Sequence, residues 1–268
     1  MIQAHPTAVI SEKAELGPGV EVGPYSVIGP HVRIGAGTVI GAHVQIDGDT
    51  VIGERNEIFN GACIGMPAQM KNYRQIKNAK LTIGDENVIR EQVTINSGGK
   101  DGSVTVVGNR NFLMITSHVA HDCVLGNDII LANGTMLGGH ATVDDGAVLG
   151  GLVGVHQFCH VGRLTMVGGL TRVVMDVPPF TMCAGIASKI FGLNLVGLKR
   201  AGYSLKDTAP IKSAVKTLLD PAIKLADAID SVSREFKGNK DIEYLIAFVK
   251  NSKRGIPRGV IHPEEGEF

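Results

Sequence analysis

The segment from Val107 to Leu131 reads VGNRNFLMITSHVAHDCVLGNDIIL, and an aliphatic residue occupies every sixth position of it. The same spacing continues to Val173 and also covers the chain before residue 65. The earlier members are Ile10, Leu16, Val22, Ile28, Ile34, Ile40, Ile46, Ile52, Ile58 and Ile64. A period of six fits neither an amphipathic helix nor an alternating strand. It predicts strand-and-turn units with one inward side chain each, three of which close a triangular coil, so that residues 18 apart stack in a parallel β-helix.

The composition agrees with a narrow, aliphatic core. The chain has 268 residues, of which 44% are hydrophobic, yet only 4% are aromatic and none is Trp. A prism that admits one aliphatic side chain per unit has little room for aromatic rings. Glycine often follows the aliphatic position, as at Gly17, Gly23 and Gly35, and we expect it to supply the backbone freedom that the turn needs. The phase breaks across Met66–Leu81, and a loop is predicted around Asn96–Ser103.

The repeat ends after Val173, and the remaining chain has helical patterns. We therefore predict a β-helix domain over residues 1–190 and a small helical domain over residues 191–268, giving a mainly β fold class. Ser204 with Asp207 predicts a capping box at a helix start. Asp220 followed by Pro221 predicts a second helix start. The polar residues 258–268 are expected to fray.

Charge and cysteine content exclude several classes of protein. Lys and Arg number 26, as do Asp and Glu, which disfavours a nucleic-acid-binding role. The 4 cysteines form no CxxC pair, so neither a disulfide framework nor a zinc knuckle is expected. The N-terminus lacks the pattern of a signal peptide, and no apolar run is long enough to span a membrane. We expect a soluble cytoplasmic protein.

Stacking of the coils brings candidate catalytic groups together. His121, Gly139 and Gln157 are 18 residues apart and form one column, and Asp122 and His140 form the next. The nearby histidines are His118, His156 and His160. A histidine can act as a general base, a carboxylate can orient it, and the unobstructed N–H of a glycine can hold an oxyanion. These parts fit direct acyl transfer to a hydroxyl or an amine, since no Ser or Cys is placed as a nucleophile.

Other interpretations of these residues stay open at this point. An outward histidine on a repeat surface can be plain polar decoration. Asp122 and Asp144 can simply cap turns. Clustered histidines can also bind zinc.

Several sequence blocks together resemble one family. They are HPTAVI, IREQVTIN, HVAHDCVLGN, LGGHATVDD, GGLVGVHQFCHVG, MVGG, DVPPF and GLKRAG. The chain resembles the UDP-N-acetylglucosamine acyltransferases of lipid A biosynthesis over nearly its whole length. The resemblance implies a left-handed β-helix, a homotrimer with its sites between subunits, and no cofactor or metal. It implies transfer of an (R)-3-hydroxyacyl group from acyl carrier protein to the 3-position of UDP-N-acetylglucosamine.

The resemblance also assigns roles to individual residues. It makes His121 the general base, Asp122 its orienting partner and Gly139 the oxyanion donor. Gly169 matches the position that governs acyl-chain length. The other expected substrate-binding residues are His118, His140, His156, Gln157, Gln69, Asn194 and Arg200. Acidic acyl carrier protein should dock on a basic surface. The candidates for that surface are Arg163, Arg172, Lys189, Lys199, Arg200 and Lys212.

The sequence departs from the family pattern around the acceptor. Met70 replaces an acidic residue, and the lysine of the same loop is either replaced by Asn72 or displaced to Lys71. Ala201 replaces a second arginine, and Gly185–Ser188 lacks an Asn-His pair. These changes leave the acceptor open between UDP-N-acetylglucosamine, its 3-amino analogue and a related nucleotide sugar. Three competing functions are another hexapeptide acyltransferase, a zinc hydrolyase resembling the γ-carbonic anhydrases, and a structural scaffold.

Overall fold

The computed structural model describes residues 2–259. In it, short strands stack in parallel, and each strand pairs with the strand one coil further along the chain. Met136 pairs with Gly154 and Gly154 pairs with Arg172, so one coil is 18 residues. The predicted stacking period is therefore confirmed. Part of the predicted polar tail, residues 260–268, lies outside the described residues.

Three sheets form the faces of the β-helix. The first face contains Gln3–Ala4, Glu21–Val22, Val39–Ile40, Glu57–Ile58, Val88–Ile89, Phe112–Leu113, Ile130–Leu131, Val148–Leu149, Met166–Val167, Thr181–Ala184 and Lys189–Leu193. The second contains Val9–Ile10, Val27–Ile28, Gln45–Ile46, Cys63–Met66, Thr94–Asn96, His118–Val119, Met136–Leu137, Gly154–Val155 and Arg172–Val173. The third contains Glu15–Leu16, Val32–Ile34, Asp49–Ile52, Lys80–Ile83, Val104–Val107, Val124–Leu125, Thr142–Val143 and His160–Val161. All pairings are parallel except that between Thr181–Ala184 and Lys189–Leu193.

The aliphatic residues at every sixth position form the core. Leu113, Val119 and Leu131 are fully buried, while the residue before each of them points outward. Successive side chains of a strand point to opposite faces, so a two-residue strand supplies one inward and one outward group. The outward positions of the second face are therefore available for chemistry.

The glycines play a different part from the one that the sequence predicts. At many turns the left-handed conformation is adopted by other residues, such as Asp122 at φ 59° and His140 at φ 61°. Gly35, which follows an aliphatic residue, does not have a positive φ; a Cβ there would lie 2.5 Å from the carbonyl of Gly53. That prediction was wrong: glycine after the aliphatic residue lets the backbones of adjacent coils approach.

Two insertions interrupt the coils where the sequence loses its phase. The first separates Cys63–Met66 from Lys80–Ile83 and contains the short 3₁₀ helix Tyr73–Gln75. The second separates Thr94–Asn96 from Val104–Val107. Both leave the β-helix at the same corner, between the second and third faces.

Four helices follow the strands, and no helix in residues 2–259 is long and apolar enough to cross a membrane. They are α1 (Leu195–Arg200), α2 (Leu205–Leu219), α3 (Leu225–Glu235) and α4 (Lys240–Asn251). The predicted capping box of Ser204 and Asp207 is confirmed at the start of α2. The prediction for Asp220 was wrong, because it ends α2 and accepts a hydrogen bond from the N–H of Ala222 in a turn. The predicted domain boundary falls inside Lys189–Leu193, and the division into two domains stays a prediction.

Helix α4 packs on the last coils of the β-helix. The ring of Phe248 lies 4.5 Å from that of His160, and Tyr244 donates a hydrogen bond to the carboxylate of Asp144. Arg163 forms an ion pair with Asp241 of the same helix. Arg163 was predicted as a free basic docking group; it is instead occupied by this contact.

Candidate active site

The candidate site lies at the corner between the second and third faces, where residues 121–122, 139–140 and 157–158 stack on successive coils. This set of turns is called the site corner below. Nδ1 of His121 lies 2.8 Å from Oδ2 of Asp122, and the two side chains are only 16% and 8% exposed. Nε2 of His140 lies 3.5 Å from the same carboxylate oxygen. The stacking predicted from the sequence thus brings these three side chains together.

Asp122 is held as a carboxylate behind His121. Burial alone would raise its pKa, but hydrogen bonds from Ser103, His121 and the backbone N–H of Gly99 outweigh it and keep the pKa below the ordinary value. An ionised carboxylate at Nδ1 of His121 stabilises the tautomer that carries the proton there. The other ring nitrogen, Nε2, is then left as a proton acceptor.

Gly139 lies directly against the ring of His121. A Cβ at this position would lie 2.6 Å from Cε1 and 2.7 Å from Nε2 of that ring, so the contact requires glycine. Within residues 2–259, no group accepts a hydrogen bond from the N–H of Gly139. A free backbone donor next to a proton acceptor is the arrangement that holds an oxyanion.

His118 lies on the second face beside His121. Its Nδ1 is 2.7 Å from the hydroxyl of Thr94, one coil below. Burial, together with the neighbouring His121, lowers the pKa of His118, so the ring is neutral at neutral pH. Sequence reasoning missed Thr94, because the insertion between Asn96 and Val104 shifts the 18-residue register at this coil.

A cleft of about 450 Å³ opens on the second face next to these groups. Among the residues that line it are Gln69, Asn96, His118, His121, Gly139 and His156. Gln69 comes from the first insertion, and Arg172, which the sequence suggested as a docking residue, also lines the cleft. Five of the predicted catalytic and substrate-binding residues are therefore brought to one cavity, while Asn96 was not among the predictions.

His140 and Gln157 border the site corner outside this cleft. The ring of His140 stacks on that of Phe158 with a centroid distance of 4.6 Å and meets the ring of His121 edge-on at 5.3 Å. Gln157 is exposed on the next coil, where its carbonyl lies 3.1 Å from Nδ1 of His156.

Gly169, Asn194 and Arg200 do not line the cleft of the same chain. Gly169 lies at the corner between the first and second faces, across the second face from His121. Asn194 caps α1, where its Oδ1 accepts from the N–H of Gly197 and its Nδ2 donates to the carbonyl of Leu164, both at 2.9 Å. Arg200 is exposed at the end of α1. Their substrate roles stay predictions.

Three side chains at the site corner could also hold a metal ion. The ligand atoms of His121, Asp122 and His140 lie within 4.8 Å of one another. A metal there would have to displace the proton of the hydrogen bond between His121 and Asp122, because the same two side chains would be its ligands. Proton transfer by His121 and metal binding at these three side chains are therefore mutually exclusive uses of the site.

The comparisons with known proteins agree with this geometry. A family profile described as "Udp N-acetylglucosamine O-acyltransferase; Domain 2" matches residues 176–257, and a profile of bacterial transferase hexapeptide repeats matches residues 13–48. The chain is 48% identical to an acyl-[acyl-carrier-protein]–UDP-N-acetylglucosamine O-acyltransferase of Thiobacillus denitrificans, over 96% of this chain and 100% of the relative. It is 49% identical to the protein of the same name from Alkalilimnicola ehrlichii, with the same coverage.

Solved structures agree with the fold. The UDP-N-acetylglucosamine acyltransferase of Francisella novicida aligns with a TM-score of 0.89 at 37% identity, covering 96% of this chain and 94% of that one. The enzyme of the same name from Bacteroides fragilis aligns with a TM-score of 0.90 at 37% identity, covering 95% and 99%. The predicted fold class, a left-handed parallel β-helix followed by helices, is confirmed.

Proposed function

Because the chain belongs to the UDP-N-acetylglucosamine O-acyltransferase family, we propose that the cleft at the site corner is where acyl transfer takes place, with His121 as the general base. The chain is an acyl-[acyl-carrier-protein]–UDP-N-acetylglucosamine O-acyltransferase and catalyses the first step of lipid A biosynthesis. The contact of His121 with Asp122 at 2.8 Å, with Gly139 against the same ring, is the observation that carries the proposed mechanism.

The proposed reaction is a direct transfer. Nε2 of His121 removes the proton from the acceptor hydroxyl, and that oxygen attacks the carbonyl carbon of the thioester. Asp122 stabilises the imidazolium, and the N–H of Gly139 holds the negative charge on the carbonyl oxygen. Collapse of the tetrahedral intermediate breaks the carbon–sulfur bond, and His121 returns the proton to the leaving thiolate.

Three of the four cysteines are poorly suited to form an acyl-enzyme. Cys123, Cys159 and Cys183 are buried. Burial raises the pKa of Cys159 to about 11 and that of Cys123 and Cys183 to about 12. A thiol with such a pKa is protonated at neutral pH and is a poor nucleophile.

The finer substrate identity is part of the proposal. We assign an (R)-3-hydroxyacyl donor and the 3-hydroxyl of UDP-N-acetylglucosamine as acceptor, on the resemblance of the histidine blocks. Gln69, which the family pattern retains, lines the cleft, whereas Met70 stands in place of the acidic residue. The alternative acceptor is therefore a related nucleotide sugar such as the 3-amino analogue.

We further propose that the enzyme is a homotrimer whose subunits complete the cleft. Apolar side chains are exposed beside the second face, with Met136 at 57%, Leu152 at 62% and Leu170 at 70%. Such a surface fits burial against a neighbouring subunit. That neighbour would bring Asn194, Arg200 or the Gly169 corner towards His121, and acyl carrier protein would dock beside the completed site.

A transfer assay tests the function. 3-Hydroxyacyl carrier proteins of several chain lengths are offered with UDP-N-acetylglucosamine or its 3-amino analogue, using the wild type, His121→Ala and His31→Ala. Loss of the base should cost about 10²–10⁴ in rate, whereas His31, an exposed histidine of an early coil, should be dispensable. Equal activity of His121→Ala and wild type would refute the mechanism. Absence of transfer to either acceptor by a folded protein would favour another acceptor.

A further inference from the structure

The first insertion, residues 67–79, is fastened to the second face at its base. Nδ2 of Asn96 lies 3.3 Å from the carbonyl oxygen of Met66 and 3.1 Å from that of Pro67. The backbone N–H of Ser97 donates to the same carbonyl of Met66 at 3.0 Å. The hydroxyl of Ser97 lies 3.4 Å from the same carbonyl, so Asn96 and Ser97 both join this loop to the coil above it, and Asn96 also reaches Pro67.

The contacts of Asn96 define which way its amide points. A flipped amide would place Oδ1 against two carbonyl oxygens, so the donor end must face the loop. Oδ1 is then on the other arm of the amide, where it is buried and has no partner within residues 2–259. Asn96 itself is only 3% exposed.

A second buried asparagine shows what a purely structural amide looks like in this fold. Nδ2 of Asn111 donates to the carbonyl of Gly126 at 3.0 Å, and its Oδ1 accepts from the N–H of Ile129 at 2.8 Å. Both ends of that amide are used. At Asn96 only the end that faces the loop is used, and leaving a buried acceptor without a partner costs free energy.

Asn96 also lies at the cleft. It lines the cavity together with His118, His121 and Gln69, and Gln69 is three residues beyond Met66 in the loop that Asn96 holds. A contact at the base of a short segment limits where the residues just beyond it can lie. The loop contact and the cleft therefore meet at one side chain.

We propose that Asn96 is a positioning residue for the sugar-nucleotide acceptor, acting through the carbonyls of Met66 and Pro67 to hold Gln69 over the cleft. This inference rests on the proposed acyl transfer. It concerns the acceptor alone, since within residues 2–259 Asn96 forms no hydrogen bond with His121 or Asp122. The donor half of the reaction and the proton transfer are expected to be independent of it.

Steady-state kinetics of Asn96→Ala test the proposal. The loss of two hydrogen bonds to the loop should raise KM for UDP-N-acetylglucosamine at least about tenfold. The values of kcat and of KM for the acyl carrier protein should stay within about twofold, because the catalytic groups are untouched. An unchanged KM for the sugar nucleotide, or a fall in kcat as large as that in kcat/KM, overturns the proposal.

Two further variants test which end of the Asn96 amide matters and whether Asn96 acts through Gln69. Asn96→Asp keeps one oxygen and replaces the amide donor by a second oxygen, so it should be at least as impaired as Asn96→Ala; wild-type behaviour of Asn96→Asp contradicts a role through the loop carbonyls. In a double-mutant cycle, Asn96→Ala should add little to Gln69→Ala. Fully additive effects would mean that Asn96 does not act through Gln69.

Readouts without turnover distinguish failure of this inference from failure of the proposed function. Hydrogen exchange of residues 67–79 should accelerate in Asn96→Ala, and calorimetry should show weaker binding of UDP-N-acetylglucosamine. Asn111→Ala is the matched control, which should lower the melting temperature without changing either readout. If Asn96→Ala does not fold, Asn96→Ser, whose hydroxyl is too short to reach both carbonyls, replaces it. Unchanged loop exchange contradicts the proposal even if the enzyme transfers no acyl group.

Discussion

Two corners of the β-helix use the same turn for opposite purposes. At the site corner, Asp122 and His140 adopt the left-handed conformation at φ 59° and 61°. At the corner between the third and first faces, Glu86 and Arg110 do the same at φ 59° and 55°. This second set of turns, with Asn56, Asn87 and Asn111 following the left-handed residues, is called the ladder corner below. The backbone geometry is therefore not what makes a corner into a site.

The difference lies in which side chains carry the polar groups. At the ladder corner the buried asparagines bond along the axis: Asn87 donates its N–H to Oδ1 of Asn56 at 2.9 Å, and Asn111 donates to Oδ1 of Asn87 at 2.9 Å. At the site corner the corresponding buried positions are Cys123 and Ala141.

The polar groups of the site corner are therefore on the outer side of the turn. Asp122 and His140 are the left-handed residues themselves, and their side chains meet beside His121 on the outer side of the turn. The buried amides of the ladder corner bond to one another along the axis, which occupies the donors and acceptors that a ligand would need. A site corner keeps donors and acceptors that can act on one.

Gly139→Ala should have the largest effect at the site corner. A Cβ 2.6 Å from Cε1 of His121 must displace the ring or the backbone that carries the oxyanion donor. We expect kcat to fall about 10²–10³-fold, which is the usual cost of losing one such donor. The control is Gly151→Ala, whose Cβ would meet its nearest neighbour, the carbonyl of Asn133, at an ordinary 3.5 Å. Similar kcat values for the two variants would contradict the assigned role of Gly139.

Asn87→Ala, at the ladder corner, should lower stability and leave activity unchanged. The substitution leaves the N–H of Asn111 and the carbonyl of Gly108 without the partner that the Asn87 amide supplies inside the prism, while Oδ1 of Asn56 keeps the backbone N–H of residue 87. We expect the free energy of unfolding to fall by about 1–3 kcal/mol, with kcat and KM unchanged. Denaturant unfolding and steady-state kinetics on the same preparation check this. A loss of activity in the folded variant would mean that the two corners are coupled.

Lowering the pH should reduce the stability of the folded protein through protonation of His118. Burial lowers the pKa of His118 in the folded protein, so the folded state favours the neutral ring. The stability that this provides is present above the unfolded pKa of about 6.5 and is lost as the pH falls below it. The melting temperature should therefore decrease from pH 7.5 to pH 5.5 at fixed protein concentration, and less steeply in His118→Asn. Parallel curves for the two proteins would count against this contribution.

Protonation of Asp122 should also lower the stability of the folded protein, but at a lower pH than protonation of His118. Its pKa is depressed in the folded state, so its contribution is present above the unfolded value of about 3.9 and is lost as the pH falls through the folded pKa. Between pH 7.5 and pH 5.5 it is ionised in both states. The slope in that window therefore reports on His118 and not on Asp122.

Arg110→Ala should have the smallest effect. Its guanidinium pairs with Asp128 on the next coil at 2.8 Å, but both side chains are more than half exposed. Water and salt screen such a pair. We expect no measurable change in melting temperature or activity in a thermal scan and a transfer assay. A clear loss of stability would show that the ladder corner depends on its outer ion pairs as well as on its buried amides.

The sequence predicted most where its register is unbroken. From Val107 onward, counting in steps of 18 places Gly139 over His121 and Asp122 close to His140, as the structure does. The same counting failed for Thr94, because the second insertion lies between it and His118. The hydrogen bonds of Asn96 to the carbonyls of Met66 and Pro67 could not be predicted for the same reason, because no fixed period connects an insertion to the coil that follows it.

Other predictions were wrong because they relied on local sequence rules, whereas packing between distant segments decides the structure there. Glycine after the aliphatic position was attributed to turn conformation, yet the close approach of carbonyls such as that of Gly53 demands it. Asp220 was placed at a helix start by its neighbour Pro221, but the chain first makes a turn, and α3 begins at Leu225. Arg163 looked like a free surface charge and is paired with Asp241, a contact between segments far apart in the sequence.

The antiparallel strand Lys189–Leu193 has a consequence for assembly between molecules. A stack of parallel coils ends in an open strand edge, and a second copy could continue the stack end to end without limit. This strand runs against the direction of every other strand in the first face, and α4 covers the adjoining end of the third face. One blocked end is enough to stop head-to-tail polymerisation. A chain truncated before Lys189 should accordingly form filaments, because it presents the bare edge of Thr181–Ala184 to the N-terminal coil of the next molecule.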